Sequence, residues 1–256
     1  IKTIGTPAQT ISGTGSLKKL DISIATTNNG NITVTTSLSS SVASTLTQGA
    51  SATLTYSGTT AIGPTLDASV SGSTVVYGGT TQIVKSTTYH HLTISGTSYK
   101  TLAGDITVNG NLSISASELY TSIYQITGNV TGTFSMGATG ILTLGNNGSA
   151  IDVGFPSNFT NGHISFDVAS IVYYYGNNAQ TVSSTPTYGR LIIQTYSGSK
   201  VANGNLTVAG SLTINSPSTL SMTSYTLNLT GNCSGAGNLS FTSGTSSSIS
   251  ALSILR

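Results

Sequence analysis

Carboxylates are the first residues to consider as a source of chemistry, because glycoside hydrolysis depends on a pair of them. No two acidic residues share a motif, so a catalytic pair would have to be assembled from distant parts of the chain. The best local candidate for a polysaccharide-lyase site is Asp105 beside Lys100, but the corresponding position one hundred residues later is Asn205. A position that takes Asp or Asn is typical of a turn. We therefore expect no catalytic residue and no enzyme activity. The six acidic residues are Asp21, Asp67, Asp105, Glu118, Asp152 and Asp167.

The histidines and the single cysteine do not form a recognisable metal site. His90 and His91 are adjacent, and on a strand they would point to opposite faces. His163 is isolated, and the ligand spacings typical of zinc sites are absent. We expect no metal and no cofactor. Cys233 has no intrachain partner and is expected to be a small buried thiol, with intermolecular pairing as the alternative.

The densest aromatic run is Tyr173-Tyr174-Tyr175. Strand alternation places Tyr173 and Tyr175 on one face and Tyr174 on the other. Exposed tyrosines can stack on sugar rings, so Tyr173 and Tyr175 are candidate residues for a glycan-binding surface. The alternative is a core or corner position for these side chains. Tyr175 matches Tyr77 of the preceding part of the chain.

Charge is scarce along the whole sequence. Of the 256 residues 5% are charged, 37% are hydrophobic, and the formal net charge is +2. Binding to nucleic acid needs several convergent cations, and no such cluster exists beyond Lys18-Lys19. No apolar run approaches the roughly 18 to 20 residues of a membrane helix. We therefore expect no nucleic-acid partner and no membrane insertion, and an ordered chain in the form of a mature protein or an excised fragment.

A repeat of about one hundred residues organises the chain. The segment KTLAGDITVNGNLSI at 100–114 recurs as KVANGNLTVAGSLTI at 200–214, with a looser copy, GNITVTTSL, at 30–38. Each copy contains apolar-polar-apolar triplets separated by Gly, Asn and Ser. Such triplets predict very short strands with one buried face, and Asn-Gly pairs predict the corners between them.

Three blocks share one order of phrases, in which a Gly precedes a Gln by four residues: GTPAQTI at 5–11, GGTTQIV at 78–84 and GNNAQTV at 176–182. The predicted blocks are 1–72, 73–170 and 171–256, and each divides into pieces of about 20 residues. We expect one continuous all-β solenoid, a right-handed parallel β-helix of about 12 or 13 coils and roughly 60 Å. Antiparallel β-sandwich modules are the alternative, because short strands with turn signals also fit that class.

The same phrases carry a resemblance to a known group of proteins. Tyr-x-x-Leu-x-Ile at 89–94 and 188–193, following the Gly-x-x-x-Gln phrase and preceding the NGNL-type strands, resembles the β-strand repeats of large secreted surface proteins. These are adhesin-like proteins, common in Bacteroidetes-type bacteria and similar to filamentous-haemagglutinin β-helices. The resemblance covers nearly the whole chain and implies secretion, an extracellular or cell-surface location, and a structural or adhesive role.

The expected function is therefore structural: a segment of a surface adhesin, or the subunit of a self-assembling extracellular filament. A solenoid has unpaired strand edges at its ends, so the expected partner is a second copy, added head to tail or by donation of a strand. The alternatives are a module that binds surface glycans or ice, and a β-helix polysaccharide lyase or hydrolase. Thr33-Val34-Thr35 and Thr53-Leu54-Thr55 have the spacing of an ice-binding face.

Overall fold

The computed structural model describes residues 1–5, 7–148, 151–194 and 198–242. Within these ranges the chain forms 31 short strands and one 3-10 helix, at Asn161–His163. Every strand pairing in these ranges is parallel, and the coils stack into a solenoid of about 12 turns with about 20 residues per turn. The predicted β-solenoid is thus confirmed, and the alternative of an antiparallel sandwich is wrong.

The strands are numbered in chain order. The first are β1 (Lys2–Thr3), β2 (Gln9–Ile11), β3 (Thr14–Ile22), β4 (Thr26–Asn28), β5 (Asn31–Ser39), β6 (Thr45–Gln48), β7 (Thr53–Tyr56) and β8 (Thr65–Asp67). The middle strands are β9 (Thr74–Tyr77), β10 (Gln82–Val84), β11 (Thr88–Tyr89), β12 (His91–Ile94), β13 (Tyr99–Leu102), β14 (Ile106–Val108), β15 (Leu112–Ile114), β16 (Glu118–Tyr120), β17 (Ile126–Thr127), β18 (Phe134–Met136), β19 (Ile141–Leu144) and β20 (Ile164–Phe166). The last are β21 (Ile171–Tyr174), β22 (Gln180–Val182), β23 (Thr187–Tyr188), β24 (Arg190–Ile193), β25 (Ser199–Ala202), β26 (Leu206–Val208), β27 (Leu212–Ile214), β28 (Thr219–Ser221), β29 (Leu227–Leu229), β30 (Cys233–Ser234) and β31 (Asn238–Ser240).

The chain visits three faces in a constant order, which we call the first, second and third face. The first face contains the N-terminal halves of β3 and β5, then β7, β9, β12, β15, β18, β20, β23, β26 and β29. The second contains β1, the C-terminal halves of β3 and β5, then β10, β13, β16, β19, β21, β24, β27 and β30. The third contains β2, β4, β6, β8, β11, β14, β17, β22, β25, β28 and β31. Pairing continues across both predicted block boundaries, through β7–β9 and β19–β21.

Columns of apolar side chains fill the interior. On the first face a single register line joins Ile32, Leu54, Val75, Leu92, Leu112 and Phe134, all of them buried. Burying each such side chain contributes about 1.5–3 kcal/mol relative to leaving it exposed. Parallel stacking in register therefore converts the alternation of each triplet into one continuous core.

Strand length in the first block departs from the prediction. The phrase at 30–38 was expected to form very short strands, yet β5 runs unbroken for nine residues, and so does β3 beside it. Thr35-Thr36 stands where the later copies have Asn109-Gly110 and Ala209-Gly210, and threonine is compatible with extended backbone. One nine-residue strand thus spans the first and second faces.

The one-hundred-residue repeat does not return to the same face. Lys100 lies on β13 of the second face, whereas Lys200 lies on β25 of the third. Starting from β13, the second face is crossed four more times, at β16, β19, β21 and β24, and Lys200 follows on the next face. Equivalent strands of the two copies are therefore rotated about the solenoid axis by one third of a turn.

Candidate functional site

Asp105 occupies a corner and binds the backbone of the next coil. Its Oδ1 accepts a hydrogen bond from the backbone N of Gln125 at 2.8 Å. Asn205, its counterpart, accepts in the same way from Thr226 N at 2.9 Å. Only an acceptor oxygen is needed for this contact, which explains why Asp and Asn are interchangeable there. The predicted turn role is confirmed.

Lys100 points into the solenoid rather than toward Asp105. Its side chain is fully buried, and Nζ donates to Gly79 O at 2.9 Å, Thr97 O at 2.8 Å and Ser117 Oγ at 3.0 Å. Burial lowers the pKa of Lys100 to about 8. The two residues that formed the best local lyase candidate are therefore not brought together.

The histidine pair lies at a corner, and its predicted geometry is wrong. His90 falls between β11 and β12, so strand alternation does not apply to it, and the rings of His90 and His91 meet edge to face at 4.2 Å. His91 Nδ1 accepts from Asn111 N at 2.9 Å. Burial, and then the neighbouring His90, lower the pKa of His91. His163 Nδ1 lies 3.2 Å from Gly132 O.

In the described ranges, no three His, Cys, Asp or Glu side chains are grouped closely enough to hold a metal ion. Cys233 lies on β30 beside Leu212 and is half-buried, whereas a buried thiol was expected. Burial raises the pKa of its thiol, which favours the protonated form.

The hydroxyl side chains proposed for ice binding lie on the outer side of the first face. Thr33 and Thr55 are register partners, but Val76 follows in the same column and Thr93 comes after it. The two Thr-x-Thr motifs are therefore offset by two residues, so that Thr33 and Thr55 stack on each other but the motifs do not, and Val76 interrupts even this column.

Tyr174 is buried, and its hydroxyl group is hydrogen-bonded to that of Tyr188. The two hydroxyl oxygens lie 2.9 Å apart. Ser183 N donates to Tyr174 Oη at 2.9 Å, and Tyr188 Oη donates to Ser183 O at 2.6 Å. The pair thus satisfies both backbone groups of one corner residue.

Tyr77 and Tyr89 repeat this arrangement around Lys85, with hydroxyl oxygens 3.1 Å apart. Tyr174, and not Tyr175, is therefore the counterpart of Tyr77. The expected match fails because the turn after Tyr174 is one residue longer: Gln180 Oε1 accepts from Gly176 N, whereas Gln82 Oε1 accepts from Gly79 N.

Tyr173 and Tyr175 project from the outer side of the second face, opposite in direction to Tyr174. They are joined there by two tyrosines that the sequence did not single out. Tyr120 lies in the same column as Tyr173, with Thr143 between them. Tyr99 lies in the adjacent column and is the register partner of Glu118.

These side chains line a shallow, open groove, which we call the tyrosine groove. Its two halves, of about 480 and 300 Å³, share Glu118, Thr143 and Tyr175. Thr143 points outward and is nevertheless 6% exposed, so it forms the floor. Its Oγ1 donates to Glu118 Oε1 at 2.7 Å, which orients the carboxylate within the groove. The lining residues are Tyr99, Thr101, Glu118, Tyr120, Ile141, Thr143, Tyr173, Tyr175 and Gln194.

The electrostatics of the groove follow from its half-buried tyrosines and its carboxylate. Burial raises the pKa of Tyr120, and the nearby Tyr175 and Glu118 add to the shift. The Tyr120 phenol therefore remains a neutral hydrogen-bonding group at physiological pH. The groove offers aromatic faces, phenol hydroxyls and one carboxylate, which suits binding of a polar ligand with flat apolar faces.

Most of this groove could not be predicted from the sequence. Glu118-Leu119-Tyr120 has strand alternation, and a 20-residue coil would place it near Tyr99. The link to Tyr173 was hidden by the long connection between β19 and β20, which contains Asn161–His163.

In the described ranges no helix is long and apolar enough to cross a membrane. Comparison of the chain with models of known protein families, with curated proteins and with solved structures gives no match.

Proposed function

We propose that this chain is a structural extracellular protein, either a rod-forming segment of a surface adhesin or the subunit of a self-assembling filament. The observation that supports this is the unbroken parallel stacking of about 12 coils around one core. At about 4.8 Å per coil, the stack is roughly 60 Å long. Each coil contacts its neighbours alone, so coils can be added without disturbing those already present.

The N-terminal edge supports assembly with a second copy. Among the described residues, β2 pairs with β4 alone, and the N-terminal half of β3 pairs with β5 alone. Ile1 and Ile4 beside this edge are 73% and 67% exposed. Unpaired backbone groups next to apolar side chains are a template for a further parallel coil. We take that coil to come from a second copy, added head to tail.

Low charge favours the same assembly. With 5% charged residues and a net charge of +2, electrostatic repulsion between copies is weak. Exposed strand edges in ordinary soluble proteins are commonly protected by lysines. The two lysines of β3, Lys18 and Lys19, lie near its middle, where its register shifts, so the N-terminal half of this strand carries no lysine.

The test uses a substitution at the free edge. Asn31 N donates to Gly13 O, so by the alternation of a parallel ladder the N–H of Ser16 points away from β5. Ser16→Pro removes that donor and leaves the bonds to β5 in place. We expect the wild-type protein to form fibres in electron micrographs at high concentration, and Ser16→Pro to remain as single rods.

Ser16→Ala is the matched control, because it keeps the N–H and should assemble as the wild type does. Ser16→Lys, which adds a charge at the same edge, provides a second variant if the proline perturbs folding, as judged by circular dichroism. Separate short rods in the wild-type sample at every concentration would contradict assembly. Equal fibre formation by Ser16→Pro and wild type would show that this edge is not the junction.

A further inference from the structure

We propose that the tyrosine groove binds an uncharged polysaccharide of equatorially linked hexopyranose units, lying across the strands along the solenoid axis. The groove extends over β13, β16, β19 and β21, together with Tyr175 immediately after β21. This proposal does not depend on filament formation, because the groove lies on the side of the rod and not at its end.

The spacing of the tyrosines selects the ligand's shape. Tyr120 and Tyr173 occupy one register column two strands apart, a separation of about 9.6 Å. This distance is close to the length of one disaccharide unit in an extended, equatorially linked chain. Alternate sugar rings of such a chain would therefore meet successive tyrosines with the same C–H face. A coiled, axially linked polymer does not repeat with this straight spacing.

The polar groups of the groove match sugar hydroxyls. Glu118 Oε1 is held by Thr143 Oγ1 at 2.7 Å, and a carboxylate has further lone pairs with which to accept from a ligand. Gln194 and the phenol hydroxyls add donors and acceptors at the rim. The carboxylate also disfavours polyanions, which is why we assign an uncharged chain.

The side chains are already positioned for stacking. Thr143 on the floor is almost inaccessible, and Tyr120, Tyr173 and Tyr175 are half-buried around it. A tyrosine that is partly fixed loses little rotamer entropy when a ring packs on it. Tyr99, at 47% exposure, is more exposed than these three tyrosines and lies at the rim of the groove.

Isothermal titration calorimetry with soluble hexasaccharides tests the proposal. We expect cellohexaose or chitohexaose to bind the full chain, and maltohexaose, with its axial linkage, to bind at least about tenfold more weakly. Tyr120→Ala and Tyr173→Ala should each weaken binding by about tenfold or more, while Tyr120→Phe should retain most of it. Glu118→Gln should weaken binding less than either alanine variant, since an amide oxygen still accepts.

Tyr225→Ala is the matched control, because Tyr225 is 36% exposed and does not line the groove. Each variant is first compared with the wild type by circular dichroism and thermal unfolding. Absence of heat with both equatorially linked hexamers would overturn the proposal, as would equal losses in Tyr225→Ala and Tyr120→Ala. Preferential binding of a carboxylated or sulfated polymer would overturn the assignment of an uncharged ligand. Self-association that disappears in Tyr120→Ala would instead identify the groove as a contact between copies.

Discussion

Lys100 is stacked directly on Gln82, and the two side chains bind opposite ends of one glycine's backbone. Gln82 Oε1 accepts from Gly79 N at 2.8 Å, and Lys100 Nζ donates to Gly79 O at 2.9 Å. Gln82 Nε2 also donates to Tyr56 O at 3.0 Å and to Gly58 O at 2.8 Å. The corner between two faces is thereby held by buried polar side chains.

Gln180 and Lys200 repeat this arrangement around Gly176 on the next pair of faces. Lys200 Nζ donates to Gly176 O at 2.7 Å and also to Asn178 O. In these two blocks, the motif in which a Gly precedes a Gln therefore stabilises a corner between two faces through side-chain hydrogen bonds to the backbone. Gln9 of the first block does not share this role, because its Nε2 donates to Pro7 O at an exposed position.

Lys100→Ala should lower the free energy of unfolding by about 3 kcal/mol, because it removes the buried donor that joins Gly79 O, Thr97 O and Ser117 Oγ. Urea denaturation measures the change. Lys18→Ala, at an exposed position, should stay within about 0.5 kcal/mol of wild type. Similar losses in both variants would show that the buried contacts of Lys100 do not stabilise the fold.

Stability should rise between pH 8 and pH 10. Burial lowers the pKa of Lys100 and of Lys200 to about 8, although the nearby Asp152 partly opposes the shift at Lys200. Between pH 8 and the ordinary lysine pKa, the unfolded chain binds more protons than the folded one, so unfolding becomes less favourable as pH rises. We expect a gain on the order of 1–3 kcal/mol per lysine, measured in a Cys233→Ser background to remove the thiol's titration.

The rise should be absent from the Lys100→Met/Lys200→Met double variant. Direct NMR titration of the lysine Cε resonances in the wild type provides the check if that variant does not fold. Midpoints near the ordinary lysine pKa would contradict the expectation.

Above pH 10 stability should fall again. Burial raises the pKa of Tyr77 and Tyr174 to about 12, and it raises the pKa of Tyr89 and Tyr188 well above the usual range. Unfolded tyrosines ionise near pH 10 while these remain protonated, so the folded chain then binds more protons than the unfolded one. Thermal unfolding between pH 7 and pH 11 should show a maximum of stability near pH 10. A monotonic curve would show that the lysine titration or the tyrosine titration does not affect stability.

Tyr174→Phe should cost about 1–3 kcal/mol, because Ser183 N loses its acceptor in a buried corner. Tyr175→Phe should be nearly neutral, since Tyr175 lies on the outer surface. Urea denaturation of this matched pair tests which tyrosine is the counterpart of Tyr77. A larger loss in Tyr175→Phe would restore the alignment expected from the sequence.

Gly132→Ala should destabilise the solenoid by about 1–3 kcal/mol or more, because a Cβ there would lie 2.1 Å from Gly110 O on the adjacent coil. Gly162→Ala is the control, since its Cβ would meet nothing within 4 Å. Thermal unfolding distinguishes the two. Equal melting temperatures would indicate that the coils can separate to admit the methyl group.

The architecture was accessible from the sequence because the period-two triplets and corner residues are local signals. The short strands at 106–108 and 112–114 form as expected. The nine-residue β5 was missed because Thr and Ser at a potential corner do not show whether the chain turns. Tyr174 was missed because one additional turn residue shifts an alignment without disturbing the strand.

The tyrosine groove was less accessible, because it depends on which coils lie next to one another. Tyr120 and Tyr173 belong to different repeats, and their shared column is set by the length of each intervening coil. The connection between β19 and β20 is longer than the average connection between strands. No local sequence pattern indicates how many of its residues lie outside the stacked coils. Register over several coils is a cumulative property, so a single unusual coil displaces every later residue.

The rotation of one third of a turn between Lys100 and Lys200 has a consequence for any longer array of such units. In an array that kept this rotation at every unit, a surface feature copied with the unit would follow a helical path around the rod and would face the same direction again after three units. Ligands held by successive copies would therefore radiate to all sides. A rod of this kind could cross-link a surrounding network in three dimensions, whereas one with an integral number of coils per unit would adhere along a single flank.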